Sequence, residues 1–117
     1  MPTISPLTHA TLDEFVRAHR LAVIYYWAEW NESDIVMQQQ LDSQIPVELS
    51  AQFAFGCFDV DPPEHHETCR RHGVLNLPFL EFYREGLLIR TITGISRPEV
   101  LLECLREAME RTDFSAT

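Results

Sequence analysis

Leu21-Ala22-Val23-Ile24-Tyr25-Tyr26-Trp27 is apolar or aromatic at every position, with no polar residue alternating between them. A strand with one face in water alternates in polarity every second residue; one without alternation is covered on both faces. This run therefore requires packing layers on both sides of its sheet, and the segments around it carry helix signals. Thr11, with Glu14 three residues later, has the form of a capping box, and Leu12, Phe15 and Val16 follow at i, i+3 and i+4. Asn31, Ser33 and Asp34 can each cap a second helix, whose apolar positions are Ile35, Val36, Met37, Leu41 and Ile45, and Pro46 ends or kinks it.

Residues 53–60 read as a second apolar strand running into Asp61-Pro62-Pro63, and residues 64–72 as a short helix that Gly73 closes. Pro78 precedes a strand, Phe79-Leu80-Glu81-Phe82-Tyr83. Arg84-Glu85-Gly86 is a turn, and residues 87–93 pair back as a hairpin. Ser96 and Glu99 form another capping box with Pro98 in the first turn. Val100, Leu101, Cys104, Leu105 and Ala108 are the apolar face of the last helix. A βαβ unit followed by ββα is an α/β protein in three layers, α/β/α, with a central mixed sheet and helices on both faces.

The chain has 117 residues, the size of one domain, here 1–117 with its core at about 10–110. Eighteen acidic against nine basic residues give a net charge of −9, which argues against a nucleic-acid partner. Three cysteines, Cys57, Cys69 and Cys104, form no CxxC and imply no disulfide framework. Residues 1–10 do not read as a signal peptide, and no apolar run approaches the roughly 20 residues of a membrane span. A cytoplasmic protein with no membrane association is the expectation.

Trp27-Ala28-Glu29-Trp30 leaving the first apolar strand, Asp59-Val60-Asp61, His72-Gly73-Val74 ahead of Pro78, and the hairpin ending at Gly94 together resemble the thioredoxin family. The resemblance covers about residues 10–110 and implies the thioredoxin-like fold. In thioredoxins the second Trp is followed by Cys-Gly-Pro-Cys; here Asn31-Glu32-Ser33-Asp34 stand in those places. Disulfide exchange needs an attacking thiolate and a resolving thiol, and neither Asn31 nor Asp34 supplies one. The family's buried Asp aligns with Tyr25 and its nearby Lys with Cys57, so four degenerate positions, Tyr25, Asn31, Asp34 and Cys57, depart from the oxidoreductase pattern.

The resemblance also implies that the bond before Pro78 is cis, and that the Leu77 backbone beside it pairs with an extended substrate segment. Such recognition uses peptide groups and can outlast the sulfur chemistry. A peptide groove of Trp30, Asn31, Glu32, Asp34, Leu77 and Pro78 is the resulting expectation, with Trp30 as an aromatic anchor or as a side chain packed on its own loop. Residues 21–69 contain no Arg or Lys but nine acids, among them Glu29, Glu32 and Asp34, which favours a partner with a cationic segment. The expected function is that of a redox-inactive adaptor or assembly chaperone, with no catalytic residue and no cofactor. Some hydrogenase-maturation proteins resemble thioredoxin and lack its cysteine pair, so metalloenzyme assembly is one form this takes.

Two alternatives stand beside it: a divergent thiol oxidoreductase using Cys57 or Cys69, and a structural module that oligomerises. His65, Cys69 and His72 would share one face of a continuous helix at i, i+4 and i+7, but a fourth ligand is missing nearby and core packing accounts for Cys69, so no metal is assigned.

Overall fold

The computed structural model describes residues 4–28, 46–94 and 98–110. Its elements in chain order are β1 (Ile4–Leu7), α1 (Leu12–Ala18), β2 (Leu21–Trp27), α2 (Val47–Ser50), β3 (Ala54–Asp59), a 3-10 turn (Pro63–His65), α3 (His66–His72), β4 (Phe79–Arg84), β5 (Leu87–Thr93) and α4 (Pro98–Glu110). The five strands form one sheet in the order β1-β3-β2-β4-β5. β3 runs parallel to β1 and β2, while β4 is antiparallel to β2 and β5.

β2 lies at the centre, and its residues divide between two cores. Leu21, Val23 and Tyr25 face α2 and α4, where they meet Leu49, Phe55, Phe82, Leu101 and Leu105. Ala22, Ile24 and Tyr26 face the opposite side, with Leu12 and Val16 of α1, Phe58 and Phe79, and Cys69 of α3 packed against them. The unbroken apolar run follows from this placement: every side chain of the strand enters a core. The fold is α/β with a mixed sheet and helices on both faces.

Several local readings change. β1 was not anticipated; it is four residues long, contains Pro6, and lies at a sheet edge, where proline is tolerated. Thr11 makes no side-chain capping bond to α1. Its hydroxyl instead accepts the Thr8 N–H at 2.9 Å, and the Leu12 N–H donates to the Thr8 carbonyl at 3.0 Å, so the turn at Thr8 starts the helix. The helix expected over residues 31–45 and the capping box at Ser96 lie outside the described residues. Pro46 is the N-terminal flank of α2.

Arg84 is a strand residue, not part of the turn; Glu85 and Gly86, both at positive φ, make the two-residue hairpin. Arg84 is 4% exposed, and its Nη1 donates to the carbonyls of Ala108 and Met109 at 3.1 and 2.6 Å. Those carbonyls belong to the last turn of α4, which has no intrahelical donors for them.

Gly56 of β3 leaves room for the side chains of Leu7 from the neighbouring strand β1 and Phe15 from α1. A Cβ there would stand 2.5 Å from Leu7 Cδ1 and 3.2 Å from Phe15 Cε2. Gly56→Ala is expected to push Leu7 aside and cost about 1–3 kcal/mol, read as a lower denaturant midpoint with an unchanged slope.

Candidate functional site

The C-terminal ends of β2 and β3 and the start of β4 meet at one edge of the sheet, because β2 and β3 are parallel and β4 returns antiparallel. The Val60 N–H donates to the Trp27 carbonyl at 3.0 Å, extending the β2–β3 ladder by one bond. Leu77–Pro78 is a cis peptide, and the Pro78 carbonyl accepts the Gly94 N–H at 2.8 Å. Ala28, Val60 and Pro78 are thus tied to the same end of the sheet. Pro78 is buried and Leu77 half-buried. Of the other expected groove residues, Trp30, Asn31, Glu32 and Asp34 lie outside the described residues.

Next to Leu77 is an open cleft of about 520 Å³ between α3 and the segment that leads to Pro78. Val60, Cys69, Val74, Leu75 and Leu77 make its apolar lining, and His66 and Arg70 line it as well. Leu75, at its rim, is 88% exposed. One wall depends on how α3 ends. Gly73 takes the left-handed conformation at φ 70°, its N–H bonds the Arg70 carbonyl at 3.2 Å, and the Val74 N–H bonds Cys69 at 3.0 Å. That pair of bonds is a Schellman motif, and it turns residues 74–77 back along the helix.

The three thiols are free and do not form a pair. Cys57 stands opposite Tyr25 in the β2–β3 register and packs on the α4 side of the sheet. Cys69 packs on the α3 side and reaches the cleft. The sheet separates them. Burial pushes all three thiols above the ordinary cysteine value; at Cys57 a hydrogen bond from the Trp27 side chain opposes the shift without cancelling it.

The helix expected over residues 64–72 is a 3-10 turn up to His65 and an α-helix only from His66, so His65, Cys69 and His72 are not one continuous α-helical face. His65 Nδ1 is 2.6 Å from the Asp59 carbonyl, and His72 Nδ1 is 2.9 Å from Glu81. Among the described residues no three His, Cys, Asp or Glu side chains are placed to hold a metal ion.

One cluster was missed in the sequence. Glu81, 1% exposed on the α3 side of β4, accepts the Tyr26 hydroxyl at 2.6 Å and the Tyr83 hydroxyl at 2.9 Å on one carboxylate oxygen. Its other oxygen faces His72. A lone carboxylate inside a strand covered on both faces was the available signal, since it must find partners. Which partners it finds depends on packing between β2, β4 and α3. Burial, then the charge of Glu81, raises the Tyr26 and Tyr83 phenols far above the ordinary tyrosine value, so both remain neutral donors.

Among the described residues no helix is long and apolar enough to cross a membrane. Two outcomes follow from this geometry. Tyr83→Phe removes one donor from a buried carboxylate and should cost about 1.5–3 kcal/mol in a denaturant titration. Iodoacetamide at neutral pH should label Cys69 and Cys57 more than about tenfold slower in the folded chain than in denaturant, with Cys104 slowest, as a lowered thiolate fraction and burial require.

No protein-family model matches the chain. A monothiol glutaredoxin of rice (S11, Oryza sativa subsp. japonica) is 28% identical over 86 residues, which are 73% of this chain. The chain spans only 16% of that relative's length. Among solved structures, the thioredoxin of Malassezia sympodialis (Mala s 13) superposes with a TM-score of 0.78 at 17% identity, covering 92% of each chain. Mitochondrial thioredoxin 3 of Saccharomyces cerevisiae superposes at 0.76 with 22% identity, covering 89% of this chain and 94% of its own. A chain from a study of thiol resolution in yeast mitochondrial 1-Cys peroxiredoxin gives 0.77 at 23% identity, with 90% and 95% covered. With its strand order β1-β3-β2-β4-β5 and these superpositions, the chain has the thioredoxin fold.

Proposed function

We propose that this chain is a redox-inactive protein of thioredoxin fold that binds an extended polypeptide segment, as an adaptor or assembly chaperone. The observation that supports it best is the cleft beside Leu77, at the strand ends, in a chain with no thiol pair to act there. Two-thiol exchange requires sulfurs that can meet, and Cys57 and Cys69 are on opposite faces of the sheet. Backbone groups at Leu77 give affinity with little demand on sequence, and the apolar cleft receives a side chain of the bound segment. Glu29, Glu32 and Asp34 in the sequence after β2, with Asp59 and Asp61 at the end of β3, favour Arg or Lys on that segment. Trp30 is its aromatic anchor.

A second reading rests on Cys69, the thiol that reaches the cleft, and on the rice monothiol glutaredoxin as a relative. One-cysteine exchange there would need a thiolate, which burial disfavours. The third reading, an oligomerising module, differs in its sizing profile.

Insulin disulfides separate the first two readings: the chain should give no reduction, with dithiol or thioredoxin reductase, above that of a variant with Cys57, Cys69 and Cys104 all replaced by Ser. Turnover lost in Cys69→Ser would establish the second reading instead. Binding is measured on an array of extended peptides with and without Arg or Lys, at two salt concentrations. Exposed charges act over about 8 Å at physiological salt, so affinity should fall clearly as salt rises. Trp30→Ala should cost about 2 kcal/mol of binding. Glu32→Lys with Asp34→Lys should slow association more than it speeds dissociation. Binding to no peptide, or association unchanged by the charge reversals, would remove the proposal.

A further inference from the structure

The buried Glu81 cluster has no part in the binding reading, yet through His72 it is attached to α3, which forms one wall of the cleft. Its carboxylate accepts both tyrosine hydroxyls and faces His72, the last residue of α3. His72 is the one Arg or His side chain within ion-pair distance of Glu81 among the described residues. The side chain of His72 is 15% exposed and that of Glu81 1%, so the pair is shielded from solvent far more than a surface ion pair.

Position gives the pair its leverage. α3 has seven residues, too few to be stable without docking; its Thr68 is buried, and Cys69, with Val74 just beyond the helix, packs against the core on that side of the sheet. His72 immediately precedes Gly73, where the chain reverses into the cleft wall of residues 74–77. An attachment at His72 therefore holds the end of the helix and the start of the wall together.

We propose that the His72–Glu81 pair is a pH-sensitive latch, which when His72 is protonated holds the C-terminal turn of α3 and residues 74–77 against the sheet. Histidine is the side chain whose charge ordinarily changes between pH 5 and 8. A neutral His72 still donates its Nδ1–H, but Glu81 is then a buried negative charge without a counter-charge. The charge-assisted contact is thus present while His72 is protonated and lost when its ring is neutral. Among the described residues Tyr26 from β2 and Tyr83 from β4 also face Glu81, and Cys69 of α3 acts on Tyr26; burial raises all three, so they are neutral in this range. From α1, Asp13 acts on Tyr83 and pairs at 3.9 Å with Arg71 of α3 across an exposed surface.

The latch belongs to the free protein, so a cleft that binds no peptide leaves it standing. The test is an NMR titration of the full chain from pH 5.5 to 8.5, following the His72 ring and the backbone amides. In the wild type, amide shifts of α3 and residues 74–77 should titrate together with the His72 ring. Their hydrogen exchange, corrected for intrinsic rates and referred to α1, should speed up on the order of tenfold across that transition. His72→Asn keeps a donor near Nδ1 but never carries charge, and should abolish both effects. Glu81→Gln should leave the His72 ring titrating while the amides no longer follow; if it does not fold, His72→Asn alone decides. Amides of residues 74–77 that ignore pH in the wild type, or that titrate equally in His72→Asn, would overturn the proposal.

Discussion

The arrangement depends on β2 being covered on both faces while it is hydrogen-bonded on both edges. β3 lies parallel along one edge and β4 antiparallel along the other. Its backbone groups are thereby paired inside the protein, which a strand at this depth requires. Its seven side chains alternate between the two cores, so α2 and α4 on one face and α1 and α3 on the other are placed by a single strand. The same strand carries the chain to the sheet edge where Ala28, Val60 and Pro78 come together.

The two faces of that strand have opposite electrostatic character. On the α4 side, Tyr25 and Cys57 stand across from each other, uncharged groups where thioredoxins keep an Asp and a nearby Lys. On the α3 side, Tyr26 reaches a buried carboxylate that brings two phenols and a histidine with it. A buried carboxylate is costly without several donors, and Glu81 has three. Among the described residues the buried carboxylate, Glu81, sits on the α3 side of the sheet, while the buried guanidinium, Arg84, reaches the end of α4.

Which readings were accessible before the structure depended on range. The Leu21–Trp27 strand, the Gly73 closure of α3 and the apolar face Leu101, Cys104, Leu105 and Ala108 are local patterns, and they appear as read. Thr11 is the N-cap residue of α1, as read, but its hydroxyl makes no capping bond because the Thr8 N–H, three residues upstream, takes it. β1 was missed because four residues with a proline carry almost no periodic signal, and only pairing with β3 makes them a strand. Arg84 looked like part of a turn, although α4, whose carbonyls it reaches from 24 and 25 residues away, draws it inward.

The sequence by itself determined the three-layer architecture, the absence of a CxxC pair and the acidity of residues 21–69, because hydrophobic period, residue identity and charge are properties of the chain at short range. Tertiary structure alone decided that Cys57 and Cys69 lie on opposite faces of the sheet, that α3 and residues 74–77 enclose a cleft, and that Glu81 meets Tyr26 and His72. Tyr26 is 55 residues from Glu81 and His72 nine. Contacts over such separations are set by strand register and helix docking, which no local pattern encodes.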